Sequence, residues 1–199
     1  VNPIFSRSYI LDSYACIPGR GIHAAVKRIN YWLRLDCKYQ KMYYLKLDIA
    51  KFFYRVDHQI LLNILASKID DSDLMKLFHT IIESEDTPFG LPLSQNFSEG
   101  TRLFDIGIPI GNLTSQMFAN LYMNEVDQFA KRTFRIRRYI RYMDDIVILS
   151  PSKLLLHHYK DVFERFLNDN LHLILNKKTA IRPCNLGIDF CGCRTLRGC

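Results

Sequence analysis

Three aspartates stand where a buried carboxylate is costly. Asp144 and Asp145 are adjacent in RYIRYMDDIVILS (138–150), between two short runs of β-branched and aromatic residues, and Asp48 closes the apolar run YYLKLD (43–48). An unpaired carboxylate inside such runs carries a desolvation penalty. Carboxylates that face one another at a sheet edge also repel, and a hard divalent ion such as Mg²⁺, which takes oxygen ligands, relieves that repulsion. Two such ions about 3.5–4 Å apart can activate a 3′-hydroxyl and stabilise a leaving pyrophosphate in an in-line displacement, the chemistry of nucleotidyl transfer. Spacing alone leaves a second account open, in which Asp48 caps a helix or is solvated at a strand end and Asp144-Asp145 is a polar hairpin turn.

The elements that must hold these residues can be read from periodicity. YYLKLD reads as a buried strand, and Asp57 as the N-cap of a helix with Ile60, Leu61, Ile64 and Leu65 on one face. A second amphipathic helix is expected over 72–84, and EDTPFGLPLSQNFSEG (85–100), with two prolines and two glycines, reads as a loop or short hairpin. GIPIGN (107–112) turns into a long helix over 113–131 whose Phe118, Leu121, Tyr122 and Val126 share a face. Strand, Asp-Asp turn, strand follows. A helix over 154–168, opened by Pro151 and Ser152, leads to LHLIL (171–175) as a short strand, and GIDFCGC (187–193) reads as one more strand. The order predicts an α+β fold with helices packed on one face of a small antiparallel sheet. Such a sheet places Asp48 at one strand end and Asp144 at a neighbouring turn.

Composition narrows the function classes. Lys plus Arg exceed Asp plus Glu by 27 to 20 in 199 residues, a formal charge of +7 that favours an anionic partner such as nucleic acid. No apolar run reaches the roughly 18 residues of a membrane span, and the N-terminus lacks the regions of a signal peptide, so a cytoplasmic protein without membrane partners is expected. The six cysteines then read as reduced thiols. Four of them, Cys184, Cys191, Cys193 and Cys199, cluster near the end, but no CxxC knuckle is present, and this argues against zinc. The start at Val1 without methionine suggests a fragment of a longer chain.

YLKLDIAKFFYRVDH, GIPIGNLTSQMFANLYMNEVDQF, RYMDDIVIL and LNKKTAI, in this order, resemble the palm motifs of reverse transcriptases, and RYMDDIVIL resembles their YxDD hairpin. Within that superfamily DSYACIPGRGIHAAVKRI and IGNLTSQ resemble the fingers motif and the QGxxxSP-equivalent of diversity-generating retroelement enzymes, relatives of group II intron reverse transcriptases. The resemblance spans roughly residues 10–195. It implies a right-hand polymerase with part of the fingers in 1–42, palm in 43–70 and 106–199, a fingers/palm insertion in 71–105, and no thumb.

The resemblance further implies an RNA-directed DNA polymerase that makes cDNA from a template RNA and primer with deoxynucleoside triphosphates, is error-prone opposite template adenine, and takes a small basic accessory protein as a further partner. Two Mg²⁺ ions, with Mn²⁺ as the alternative, would be held by Asp48, Asp144 and Asp145 and by the backbone carbonyl of Ile49, the three aspartates being the catalytic set. Nucleotide contacts would fall to Arg20, Ala50, Phe52, Phe53, Ile110, Gly111, Gln116 and Lys178, with Phe53 as the steric gate against a ribose 2′-hydroxyl. Phe52 reads better as core, and a solvated lysine pair is the alternative at Lys177-Lys178. Lys27, Arg28, Tyr142 and Met143 would meet template or primer. Ile17 departs from the family by replacing a basic residue, Ile110 stands where most reverse transcriptases have glutamine, and the cysteines of IDFCGC replace leucine and tyrosine and read as core. The same motifs also fit an abortive-infection polymerase that works without a template, a group II intron-like enzyme, or a catalytically idle nucleic-acid-binding palm.

Overall fold

The computed structural model describes residues 2–36, 40–83, 89–92 and 102–196. Strands β1 (Tyr43–Leu47), β2 (Tyr139–Tyr142), β3 (Asp145–Ser150) and β4 (Ala180–Pro183) form an antiparallel sheet in the order β2-β3-β1-β4. The β1–β3 register runs from Tyr43 opposite Ser150 to Leu47 opposite Ile146. The next position on each strand is therefore Asp48 on one side and Asp145 on the other, so the register alone brings the motifs together.

Strand alternation divides the apolar residues between two cores. Leu45, Leu47, Tyr139, Ile146 and Ile148 face a cluster supplied by helices α4 (His58–Ala66), α5 (Ser72–Ile82), α6 (Leu113–Gln128) and α7 (Lys153–Leu171). Tyr44, Ile140, Val147 and Leu149 face the opposite side, where Ala25, Ile29, Trp32 and Leu33 of one helix and Ile188 and Phe190 pack. The expected helical layer on a small antiparallel sheet is present, and the second face is covered as well. In chain order the helices are α1 (Asn2–Ser6), α2 (Ile22–Asp36) on that second face, the short α3 (Phe52–Arg55), then α4 to α7.

Side-chain caps account for the starts of α4, α5 and α7. The Asp57 carboxylate accepts from Ile60 N at 3.0 Å, Asp71 accepts from Asp73 N and Leu74 N, and Ser152 accepts from Leu155 N. The long central helix ends at Gln128 and continues as a π-helical turn over Phe129–Thr133, where Phe129 stacks on Phe166 of α7. Ten of the sixteen residues of α6 are buried, where it packs against α4 and α7.

Two readings near the C-terminus need correction. LHLIL is not a strand: Leu171 ends α7, His172 takes a left-handed C-cap conformation, and only Leu175 forms an isolated bridge, to Ile49. The strand lies further on, as β4. GIDFCGC is not one strand either but the hairpin β5 (Ile188–Phe190) to β6 (Cys193–Thr195), turned by Cys191 and Gly192, both at positive φ. Cys193 is consequently exposed and not core, while Cys191 is half-buried. Most of the 85–100 loop lies outside the described residues, but Gly90 within it pairs with Leu103 beyond it as an antiparallel bridge.

Candidate active site

The β2–β3 connection is a two-residue loop, Met143-Asp144, closed by the pair Tyr142–Asp145. Met143 has φ +55, a region non-glycine residues avoid, and so the hairpin turns sharply at the strand ends with Asp144 in the turn. Asp48 lies one residue past β1. Its backbone is fixed from the motif-bearing turn at 176–179: its N–H donates to Thr179 Oγ1 at 3.2 Å and its carbonyl accepts from Asn176 N at 2.7 Å. The next residue, Ile49, is buried, and the bonds on either side of it, Asn176 N to Asp48 O and Ala50 N to Ile174 O, do not use its carbonyl.

Electrostatics separate the adjacent aspartates. Burial pushes the Asp144 carboxyl above the ordinary carboxylate range, and the negative charges of Asp145 and Asp48 add to that shift. Among the described residues neither Asp48 nor Asp144 belongs to an ion pair. Asp145 points to the second face, where its Oδ2 accepts from Lys46 Nζ at 3.1 Å and from Cys191 N at 3.2 Å; its Oδ1 is buried without a hydrogen-bond partner. Burial raises the Asp145 pKa too, with Lys46 opposing the shift. Lys46 also donates to the Asp189 carbonyl at 3.0 Å, so it joins Asp145 to the β5–β6 hairpin.

No group of three or more His, Cys, Asp or Glu side chains converges as a metal site among the described residues. The carboxylates that do come together are Asp48 and Asp144, neither of which belongs to an ion pair among the described residues, and Ile49 follows Asp48 with its carbonyl outside the bonds on either side. That all-oxygen set suits a hard divalent cation, which would relieve the repulsion raising the Asp144 pKa. Asp145 is largely committed elsewhere.

The remaining expected residues fall in different places. Lys178, and not Lys177, lines a cleft of about 320 Å³ with Asp48, Lys46, Arg182 and Asp189. Phe52 is 2% exposed and is core, whereas Phe53 is half-buried and meets it edge to face. The Phe53 carbonyl accepts from Ile108 N at 2.8 Å, which fastens the GIPIGN segment beside it. Ile110 is 58% exposed, and Gly111 has φ +99 in open space. Gln116 Oε1 accepts from the Cys16 thiol. Arg20 donates to the Ile10 carbonyl at 2.7 Å and so ties its own loop together. Arg28 pairs with Asp12 at 2.8 Å and lies over the Trp32 ring, while Lys27 is exposed. Tyr142 packs partly into the second core, and Ala50 is half-buried.

Sequence reasoning missed Lys46, Arg141, Asn120 and Asp127. The available signal was a charged residue inside a run read as a buried strand, Lys46 in YYLKLD and Arg141 in RYIRYM, and polar residues on the buried α6.

The family model described as reverse transcriptase (RNA-dependent DNA polymerase) matches residues 5–194. Protein YkfC of Escherichia coli strain K12 is 25% identical over 99% of this chain and 58% of its own length. A putative COX1/OXI3 intron 2 protein of Saccharomyces cerevisiae is 26% identical over 50% of this chain and 11% of its own. The chain thus spans less than two thirds of the curated relatives it matches. In fold it is similar to apo telomerase from Candida tropicalis (TM-score 0.62, 16% identity, 88% of this chain and 34% of that one) and to telomerase from Candida albicans in complex with a TWJ fragment of telomeric RNA (0.66, 10%, 98% and 35%).

Proposed function

The chain belongs to the reverse transcriptase (RNA-dependent DNA polymerase) family, and from that premise we propose that it supplies the fingers and palm of an RNA-directed DNA polymerase copying a template RNA into cDNA. The observation that carries the reading is the juxtaposition of Asp48 and Asp144, in no ion pair among the described residues, at the ends of the two central strands, with burial and mutual charge raising the Asp144 pKa. Asp48, Asp144 and the Ile49 carbonyl would hold Mg²⁺, or Mn²⁺ in its place. When bound, the ions supply Lewis acidity toward a primer 3′-hydroxyl and the phosphates of an incoming deoxynucleotide.

The chain's own groups do the rest. Lys178 at the mouth of the cleft meets triphosphate charge, and the half-buried Phe53 ring stands against the sugar and rejects a 2′-hydroxyl. Asp145, tied to Lys46 and Cys191 N, orients the β5–β6 hairpin against the sheet. Template RNA and primer would run over the basic surface to which Lys27 contributes.

Within the family we assign the chain to the diversity-generating type, error-prone opposite template adenine and assisted by a small basic protein. The support is IGNLTSQ and the exposed Ile110, which is open to a nucleotide and offers it no hydrogen bond. Likeness to the yeast intron 2 protein over half the chain favours a second reading, an intron-type enzyme. Primer extension by the full-length protein on a mixed RNA template, with Mg²⁺ and each dNTP, tests these readings. Template-dependent cDNA with errors concentrated at adenine is expected. Accurate cDNA would move the assignment to the intron type, and polymer made without template would overturn RNA-directed synthesis.

A further inference from the structure

Beneath the Met143-Asp144 turn lies a guanidinium with no exposed surface. Arg141 spends all five of its N–H donors. Nε donates to Asp127 Oδ1 (2.8 Å), and Nη2 donates to Asp127 Oδ2 (2.7 Å) and Ser13 Oγ (2.8 Å). Nη1 donates to Asn120 Oδ1 (3.2 Å) and to the backbone carbonyl of Met143 (2.9 Å). Asp127 and Asn120 lie on α6, and Asp127 also accepts from Tyr139 Oη of β2 at 2.7 Å. Arg141 and Asp127 are both fully buried.

A buried ion pair is a weak argument for stability, because an apolar side chain of similar volume often packs such a place as well or better. The contact with Met143 is the better account of this group. That residue holds a positive φ at a position where hairpins favour glycine, asparagine or aspartate, and such a conformation persists only where its surroundings enforce it. Among the described residues the one side-chain hydrogen bond to the turn's Met143 carbonyl comes from Arg141, whose position is set by a bidentate carboxylate. The carbonyl belongs to the residue immediately before Asp144. We propose that Arg141 is a positioning residue: through Met143 it fixes the strained turn and thereby the place of the Asp144 carboxylate relative to Asp48. This rests on the metal-dependent reading of that pair given above.

The test compares Arg141→Lys, Asn120→Ala and Ser13→Ala in the full-length protein. Mn²⁺ binding is measured by calorimetry without primer or nucleotide, Mg²⁺ half-saturation by primer extension, and folding by thermal melts. Arg141→Lys should weaken Mn²⁺ binding and raise Mg²⁺ half-saturation by about tenfold, equivalent to about 1.4 kcal/mol. Ser13→Ala removes a buried partner of Nη2 but leaves the Met143 bond, so its melting temperature should fall while its Mn²⁺ affinity stays within about twofold of wild type. A folded Arg141→Lys with wild-type Mn²⁺ affinity overturns the proposal. Where that variant does not fold, Asn120→Ala decides, because it removes the other partner of Nη1: unchanged Mn²⁺ affinity overturns the proposal and weakened affinity supports it. A wild-type protein that binds Mn²⁺ yet makes no cDNA would sink the polymerase reading alone, and the Mn²⁺ comparison would still decide for or against Arg141.

Discussion

Replacing Lys46 by methionine keeps the aliphatic stem in place and removes the ammonium. Asp145 Oδ2 then keeps only the Cys191 N–H, its Oδ1 being already without a partner, and the Asp189 carbonyl loses its donor. Removing one member of a fully buried pair costs roughly 3–5 kcal/mol. Here the Lys46 and Asp145 side chains retain 25% and 20% exposure, so water offsets part of the loss. About 2 kcal/mol remains, or about 4–8 °C in melting temperature for a chain of this size. The sign of the pH dependence follows from Asp145. Burial raises its folded pKa above the unfolded value and Lys46 opposes that rise. Without Lys46 the folded pKa moves further up, so the penalty is full at neutral pH and disappears as pH falls through that value and the carboxyl protonates. Melting curves in EDTA at pH 7.5 and pH 5 should therefore show a larger difference between wild type and variant at pH 7.5, and Asp145→Asn should recover most of the loss at that pH. Equal destabilisation at both pH values, or no recovery, would refute the ion-pair account.

Three further outcomes are expected. Asp48→Asn and Asp144→Asn should each lower primer extension by at least about a thousandfold, roughly 4 kcal/mol, with the fold intact. Because the Asp144 pKa is raised in the folded state, Asp144→Asn should also raise the melting temperature in metal-free neutral buffer, and that gain should vanish as pH falls through the raised pKa; a loss of stability would contradict the repulsion described here. Phe53→Ala should admit ribonucleotides at a modest stability cost, whereas Phe52→Ala should cost roughly 3–5 kcal/mol, read as the dNTP-to-rNTP incorporation ratio and a denaturant midpoint. An unchanged ratio would make Phe53 a packing residue. Ile110→Gln should leave stability within about 0.5 kcal/mol, since the side chain is exposed, and should reduce errors opposite adenine in sequenced cDNA; identical error spectra would remove Ile110 from fidelity.

Much of the architecture was legible because it rests on local signals. Asp57, followed by a helical stripe, reads as a cap and is one, and two β-branched runs around Asp-Asp read as a hairpin and form one. The misread elements lack such signals. β4 is an edge strand with no fully buried residue, so AIRP shows no alternation, while LHLIL shows an apolar pattern that belongs to a helix end and a single bridge. Cys191 at positive φ gives no turn signature in sequence, which hid the β5–β6 hairpin. The carboxylates were legible as a group, but their division of labour was not. It depends on which face each side chain takes, and the hairpin register sets that.

Register also explains why two adjacent aspartates are tolerated in an apolar setting. Asp145 is the first residue of β3 and shares the face of Val147, where Lys46 from β1 and the Cys191 N–H from the last hairpin meet it. Asp144 is a loop residue on no ladder position, and among the described residues no cation forms an ion pair with it. A carboxylate left in this way lowers stability, and any divalent ion that binds the folded pair and not the unfolded chain restores it in proportion to RT ln(1 + [ion]/Kd). A divalent ion would meet two repelling carboxylates better than a hydrated monovalent cation, which offers less charge against them. Arg141 cannot serve as that partner even though its charge lowers the Asp144 pKa slightly, since every donor it has is already engaged beneath the turn. The chain thus places its buried cation where it shapes the loop and leaves the carboxylate at the loop's tip open to a metal.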